Sequence, residues 1–310
     1  MSVGCVQKLL TSLYRWQCLN ISTRRMYSAR PRLSRPRPIL AWERRSHRGR
    51  ATWSEEASCV EMNKQQREEL AAAYQALDSF GLSEGINNHL STKAPARNGK
   101  GEVILLFPYG LHWNEVTASR LVGVDMASGT VVEGVGEPET TAVNIHCQVY
   151  QEALKSGSSI NTVFHLHTPY CSALSCLQDP TLRMIHQNSA RFFGDVAYDD
   201  GYEGLAMDTE EGCRLARIMS GKSVLIMGNH GILVTDKTVA RAFNTTYYLE
   251  RAAMVQILAM SSGAKLSELD DAGASLVRTQ IMANYTKDST LYFEAIKRLI
   301  RIKSPYDYTE

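Results

Sequence analysis

Eight histidines occur among the 310 residues, and three of them have the spacing of metal ligands. His165 and His167 are two positions apart in Thr162-Val163-Phe164-His165-Leu166-His167, an apolar, β-branched run that reads as a strand. Residues i and i+2 of a strand project to one side, about 7 Å apart, so two imidazoles can converge on one ion. Phe164 and Leu166 then face the core. His230 follows a second apolar strand, Ser223–Met227, where Gly228 and Gly231 let the backbone turn and aim the ring. Neutral imidazole suits Zn²⁺, Ni²⁺, Cu²⁺ or Fe²⁺, and three protein nitrogens leave positions open for substrate oxygens. A His-x-His pair also occurs in half-buried strands that hold no ion, so spacing alone leaves both readings open.

The elements that must position these rings follow from periodicity. Glu61 to Phe80 reads as a helix with Leu70, Tyr74 and Leu77 on one face and Gly81 to stop it. Gly85 to Ser91 is expected as a turn into a short strand. Val103–Phe107 is expected as a strand, followed by a turn at Pro108-Tyr109-Gly110. Next come a helical turn from Thr117, a strand Leu121–Asp125, and a hairpin at Ser128-Gly129 into Val131-Val132. Thr140 to Leu154 has helical spacing, with Val143, Cys147, Tyr150 and Leu154 in register. Pro169–Cys176, Glu210–Met219 and Thr238–Met260 are expected helices, Phe193–Val196 a strand, and Leu266–Ala283 and Leu291–Ile302 two closing helices. The irregular alternation of strands, helices and hairpins favours a layered α/β fold with a mixed or antiparallel sheet. No GxGxxG or GxxxxGK[ST] loop occurs, so nucleotide-binding folds lose support.

Charge divides the chain. Residues 1–50 hold eleven Arg and Lys8, twelve of the 34 basic residues, against one acid, Glu43. The other 22 basic and 31 acidic residues give the rest a net charge of −9, which argues against a nucleic-acid partner held by phosphate contacts. No stretch approaches the roughly 20 apolar residues of a membrane span. Seven scattered cysteines form no CxxC pair and fit a reducing compartment. Val6, Leu9, Leu10, Leu13 and Trp16 alternate with Lys8 and Arg15 as a greasy face beside a cationic one. With Arg25-Met26-Tyr27-Ser28 downstream, this has the organisation of a mitochondrial presequence with a processing site. Residues 1–60 are thus expected to be a disordered basic leader and linker that directs the protein to the mitochondrial matrix. The alternative is a basic arm on a cytoplasmic or cytoskeletal protein. A domain at 61–262 and a helical extension at 263–310 complete the expected organisation.

Gly85-Ile86-Asn87-Asn88-His89-Leu90-Ser91, Phe107-Pro108-Tyr109-Gly110, the His-Leu-His segment and Gly228-Asn229-His230-Gly231 come in the order and spacing of class II aldolase/adducin domains, which residues 65–261 resemble. The resemblance implies a three-layer α/β/α sandwich around a mostly antiparallel mixed sheet. It also implies homo-oligomers, commonly tetramers, and a divalent metal, zinc foremost, on His165, His167 and His230. Where the family's sugar-phosphate enzymes carry a catalytic glutamate four residues before a helical histidine, this chain has Ala142 before His146, with Thr140 and Thr141 in place of two serines. Glu139, seven residues before His146, is about two helical turns away and could serve as a displaced general base with His146 moving protons. It reads equally as an acidic first turn favoured by the helix dipole. His89, Tyr109, Gly110, Thr140 and Thr141 occupy the substrate-binding positions, but His89 and Tyr109 are bulkier than a phosphate turn needs. A tyrosine proton donor of the family aligns near His186-Gln187 and is missing; His186 is a candidate substitute, or else a core histidine with a backbone hydrogen bond. Two functions follow. One is a metal-dependent lyase, epimerase or dehydratase on a small hydroxy-carbonyl or sugar-derived substrate. The other is an adducin-like, non-catalytic module associated with actin filaments.

Overall fold

The computed structural model describes residues 55–201, 204 and 206–310; the expected leader lies outside them up to residue 54. One eight-stranded sheet runs β4-β3-β2-β1-β5-β8-β7-β6. Its strands are β1 (His89–Pro95), β2 (Glu102–Leu106), β3 (Val122–Val124), β4 (Val131–Glu133), β5 (Thr162–Leu166), β6 (Val196–Asp199), β7 (Val224–Met227) and β8 (Gly231–Asp236). Every neighbouring pair is antiparallel except β6 with β7. Seven helices flank it among the described residues: α1 (Glu55–Ser79), α2 (Thr140–Lys155), α3 (Pro169–Ser175), α4 (Thr209–Ile218), α5 (Val239–Ser261), α6 (Asp271–Met282) and α7 (Tyr285–Lys303).

Strand alternation divides the core into two layers. Leu90, Phe164, Leu166, Ile226 and Val234 point to the side covered by α1, α3, α5 and α7, where Tyr74, Phe243 and Phe293 are fully buried. Val163, Leu225 and Leu233 point to the other side, covered by Ile145, Val149 and Tyr150 of α2 and Leu215 of α4. This is the expected α/β/α sandwich. Tyr74 ties α1 to the strand that begins at His89: its hydroxyl donates to Leu90 O and accepts from Leu90 N, both at 2.7 Å.

Several boundaries differ from the sequence reading, each for a local reason. Helix α1 begins at Glu55, ahead of the boundary expected at residue 61. The helical turn expected from Thr117 is instead a 3-10 turn at Trp113–Glu115, capped by His112, which accepts from Asn114 N. The strand expected at Phe193–Val196 starts at Val196, because Gly194 adopts φ +71° and Asp195 N bonds back to Phe192 O at 2.9 Å, closing a turn. Strand β8 was not foreseen. Its Ile232-Leu233-Val234 run is buried on both faces and so carries no alternation. The C-terminal segment joins the main core: Phe293 and Ile300 are buried in it, Lys297 bridges to Glu69 at 2.8 Å, and Tyr308 O accepts from Ala118 N at 3.0 Å.

Candidate metal centre

The antiparallel register of β1 and β5 sets His89 directly opposite His165, on the α2 side of the sheet. His167 lies one residue beyond β5, and His230 occupies the tight turn from β7 to β8. Both turn segments use asparagine in the left-handed conformation. Asn88, with φ +66°, accepts from His167 N through its Oδ1 at 2.8 Å and so holds the second histidine in place. Asn229, with φ +54°, donates its backbone N–H to Ser175 O at 3.0 Å, anchoring the His230 turn to the end of α3. Gly231 is required by contact: a Cβ there would meet Leu166 O at 2.4 Å and His167 Cδ2 at 2.7 Å.

These constraints bring His165, His167 and His230 together, with ring centroids 4.7–5.0 Å apart and ligand nitrogens all within 4.8 Å of one another. The outer nitrogens fix the tautomers. His165 Nδ1 lies 3.0 Å from Ile232 O, a pure acceptor, so Nδ1 carries the proton. His167 Nδ1 lies 2.5 Å from Glu84 Oε2 and donates to that carboxylate. In the neutral rings the Nε2 lone pairs then face each other at 3.2 Å. Two converging lone pairs repel unless a cation stands between them. Zn–N bonds of about 2.0–2.1 Å at tetrahedral angles separate ligand nitrogens by about 3.4 Å, so the donor set fits such an ion after small adjustments of His230. A histidine ligand whose other nitrogen donates to a carbonyl or carboxylate is the usual arrangement around protein-bound zinc.

Burial favours the neutral form of His165, His89, His230 and His146. It lowers His165 and His89 far below the ordinary imidazole value, with the neighbouring histidines adding to the shift. His230 falls to about 4, through burial first and His167 second, against an opposing pull from Glu211 and Asp199. His146, fully buried on α2, falls to about 3 through burial and His165. Its Nε2 is 2.7 Å from His89 Nδ1, and its Nδ1 pairs with Ser91 Oγ, which is 2.9 Å from the Tyr150 hydroxyl. A hydrogen-bonded chain therefore runs from behind His165 into the interior.

The other candidates gather around this end of the sheet without joining the cluster. Tyr109 N donates to Glu137 O at 2.9 Å, which sets the Tyr109-Gly110 turn beside the segment leading into α2. Tyr109 is half exposed, and Gly110 has φ +101°. Glu139 is the residue before the first turn of α2; its side chain makes no cap bond, and among the described residues no hydrogen bond or ion pair joins it to a histidine. Thr140 and Thr141 begin the helix, while Ala142 is turned into the core. His186 stands apart in an exposed turn, where its Nδ1 accepts from Asn188 N. Sequence reasoning missed Glu84, whose contact with His167 spans 83 positions and leaves no local signal. It also missed Glu250 of α5, whose buried carboxylate accepts from Thr168 Oγ1, Tyr170 N and Cys171 N and so caps α3 directly after His167.

Comparison with known proteins gives a consistent result. Residues 68–257 match the Class II Aldolase and Adducin N-terminal domain. A Pseudomonas aeruginosa protein named by its assignment to aldolase class 2 is 33% identical over 202 residues, 65% of this chain and 74% of its own length. Mouse alpha-adducin is 34% identical over 200 residues, 62% of this chain but only 25% of its own length. Among solved structures, an aldolase II superfamily protein from Pseudomonas syringae superposes with a TM-score of 0.72 at 31% identity, over 80% of this chain and 96% of that one. L-fuculose 1-phosphate aldolase from Glaciozyma antarctica superposes at 0.67 over 84% and 97%, and at 22% identity that likeness speaks for the fold.

Proposed function

Because the chain belongs to the class II aldolase and adducin N-terminal domain family, we propose that it is a metal-dependent lyase, epimerase or dehydratase acting on a small hydroxy-carbonyl or sugar-derived compound. One observation carries the reading: the facing Nε2 atoms of His165 and His167, with Ile232 O and Glu84 holding the opposite nitrogens. A divalent ion, zinc foremost, held by His165, His167 and His230 would polarise neighbouring hydroxyl and carbonyl oxygens of the substrate. The chain's own residues do the rest. Glu84 and Ile232 O take the Nδ1 protons of His167 and His165 and so orient the two rings with Nε2 toward the common point. His146 positions His89 from the interior and, at a value of about 3, stays neutral near pH 7. Glu139, at the same end of the sheet, makes no side-chain cap bond and has no carboxylate hydrogen bond among the described residues, so it is the group we assign to proton transfer. Tyr109, Gly110, Thr140 and Thr141 form the adjoining rim for a polar substrate. Metal analysis of the purified full chain tests the reading: one divalent ion per chain, lost in His165→Ala, supports it, and a wild type without metal under non-chelating conditions overturns it.

A second reading is favoured by Ala142. The residue at the family's glutamate position is buried among apolar neighbours and brings no acid to the site, and alpha-adducin is among the relatives. Under it the chain is a non-catalytic, actin-associated module. Co-sedimentation of the full chain with actin filaments at physiological salt separates the two, since the enzyme reading expects no more pelleting than a control protein. We further propose a homo-oligomer, checked by light scattering. We also propose mitochondrial delivery through residues 1–60, checked by fusing them to a reporter. No described helix is long and apolar enough to cross a membrane.

A further inference from the structure

At the other end of the same strands lies a cavity of about 500 Å³, a volume suited to a small organic molecule. Ser223, Asp236 and Ile160 line it, at the ends of β7, β8 and β5 away from the histidines. The five-residue strand β5 separates the two places by about 15 Å of rise.

The electrostatics of this cavity run against the acidic background of the domain. Five cationic side chains line it against three acidic ones, Glu152, Asp195 and Asp236, an excess of two positive charges. The acids are already engaged. Asp195 takes Arg278 Nη2 at 2.9 Å, Ser223 N at 3.0 Å and Ser223 Oγ at 2.6 Å. Asp236 is 2.6 Å from Arg241 Nε and accepts from Lys237 N at 2.7 Å. Glu152 pairs with Lys155 at 3.4 Å.

Arg191, Lys222 and Lys237 are left facing the cavity with no carboxylate in ion-pair range among the described residues. Lys222 has only Gly194 O, at 2.6 Å. Arg191 is held in place by stacking on the Tyr248 ring, 3.7 Å from its centroid, and by a 3.4 Å contact to Asn244 Oδ1. Its Nε is buried with no hydrogen-bond partner among the described residues, and burial lowers the affinity of the guanidinium for its proton. A buried, pre-oriented donor with nothing to accept from it carries a desolvation cost that an anion would relieve.

We propose that this cavity is a second ligand site, distinct from the histidine centre, that binds the dianionic phosphate group of a small phosphate monoester through Arg191, Lys222 and Lys237. The excess of two positive charges matches a dianion. The cavity is larger than a bare phosphate needs, which favours an ester over the free ion. The site does not depend on the histidine centre being catalytic.

The test is thermal unfolding of the metal-free full chain, titrated with inorganic phosphate and separately with glycerol 2-phosphate at constant ionic strength. The expected result is a saturable rise in the unfolding midpoint, with half-saturation at lower concentration for the ester. In Arg191→Gln the half-saturating concentration should increase about tenfold or more, as one charge-assisted contact is lost. Lys222→Gln provides the same reading if Arg191→Gln fails to fold. His165→Ala should titrate as the wild type does. No saturable rise in the wild type, or an unchanged titration in both cavity variants, overturns the proposal. So does an effect abolished by His165→Ala, which would place the anion at the histidines. Equal half-saturation by the two probes would reassign the site to free phosphate and overturn the ester.

Discussion

The two ends of the central strands present opposite electrostatic problems. At the end where β5 runs out and β7 turns into β8, burial holds His165 and His230 neutral, and three imidazoles converge on a common point. At the other end, fixed cations are held by stacking and backbone contacts, with the local acids already neutralised. Neutral donors that converge select a cation, since each lone pair gains from it and none must lose a proton first. Unpaired guanidinium and ammonium groups select an anion. The same sheet thus supports both, because alternation and register decide only where a side chain points, while the loops beyond each strand end decide its charge.

If the contrast holds, the largest effect falls on metal retention. His165→Ala removes the most deeply buried of the three ligands, and we expect metal affinity to fall by about three orders of magnitude, read by competition with a chromogenic chelator. Acid should break the same end next. His230 and His146 titrate at about 4 and 3 in the folded chain, against about 6.5 when unfolded. Between these values the unfolded chain binds more protons, so stability rises with pH up to about 6.5 and is lost as pH falls toward 4. Each ring contributes up to about 1.4 kcal/mol per pH unit in that window. Denaturant melts of metal-free protein between pH 4 and 7 should show this slope, reduced by about one proton in His146→Gln.

Gly231→Ala forces a methyl group against Leu166 O and His167, and should cost about 2–3 kcal/mol of stability while separating β8 from β5. Loss of the carboxylate behind His167 is milder. Glu84→Gln should weaken metal binding about tenfold with the fold intact by circular dichroism. Smallest of all is any coupling between the ends: the stability changes of His165→Ala and Arg191→Gln should add to within about 0.5 kcal/mol, as expected of distant sites.

Much of the histidine end was legible in the sequence because its signals are local. The His-x-His spacing, the glycines around His230 and the apolar runs of β5 and β7 all lie within a few residues, and the structure places the rings as that spacing requires. What was not legible is long in range. The Glu84–His167 and Glu250–Thr168 contacts span 83 and 82 positions, and neither acid stands in a pattern that marks it. The enclosure of the His146 ring between His89 and Ser91 is likewise visible only in the packing. Strand β8 escaped because a strand buried on both faces loses the alternation by which strands are recognised. The arginine–lysine cavity draws on five separated segments, and no window of sequence contains it.

X-ray absorption at the zinc edge of the zinc-loaded full chain reads the ligand set of the His165, His167 and His230 centre itself. The account predicts one zinc per chain with three imidazole nitrogens at about 2.0–2.1 Å and oxygen completing the shell. A shell with fewer than three imidazoles, with sulfur, or unchanged in His165→Ala would contradict it.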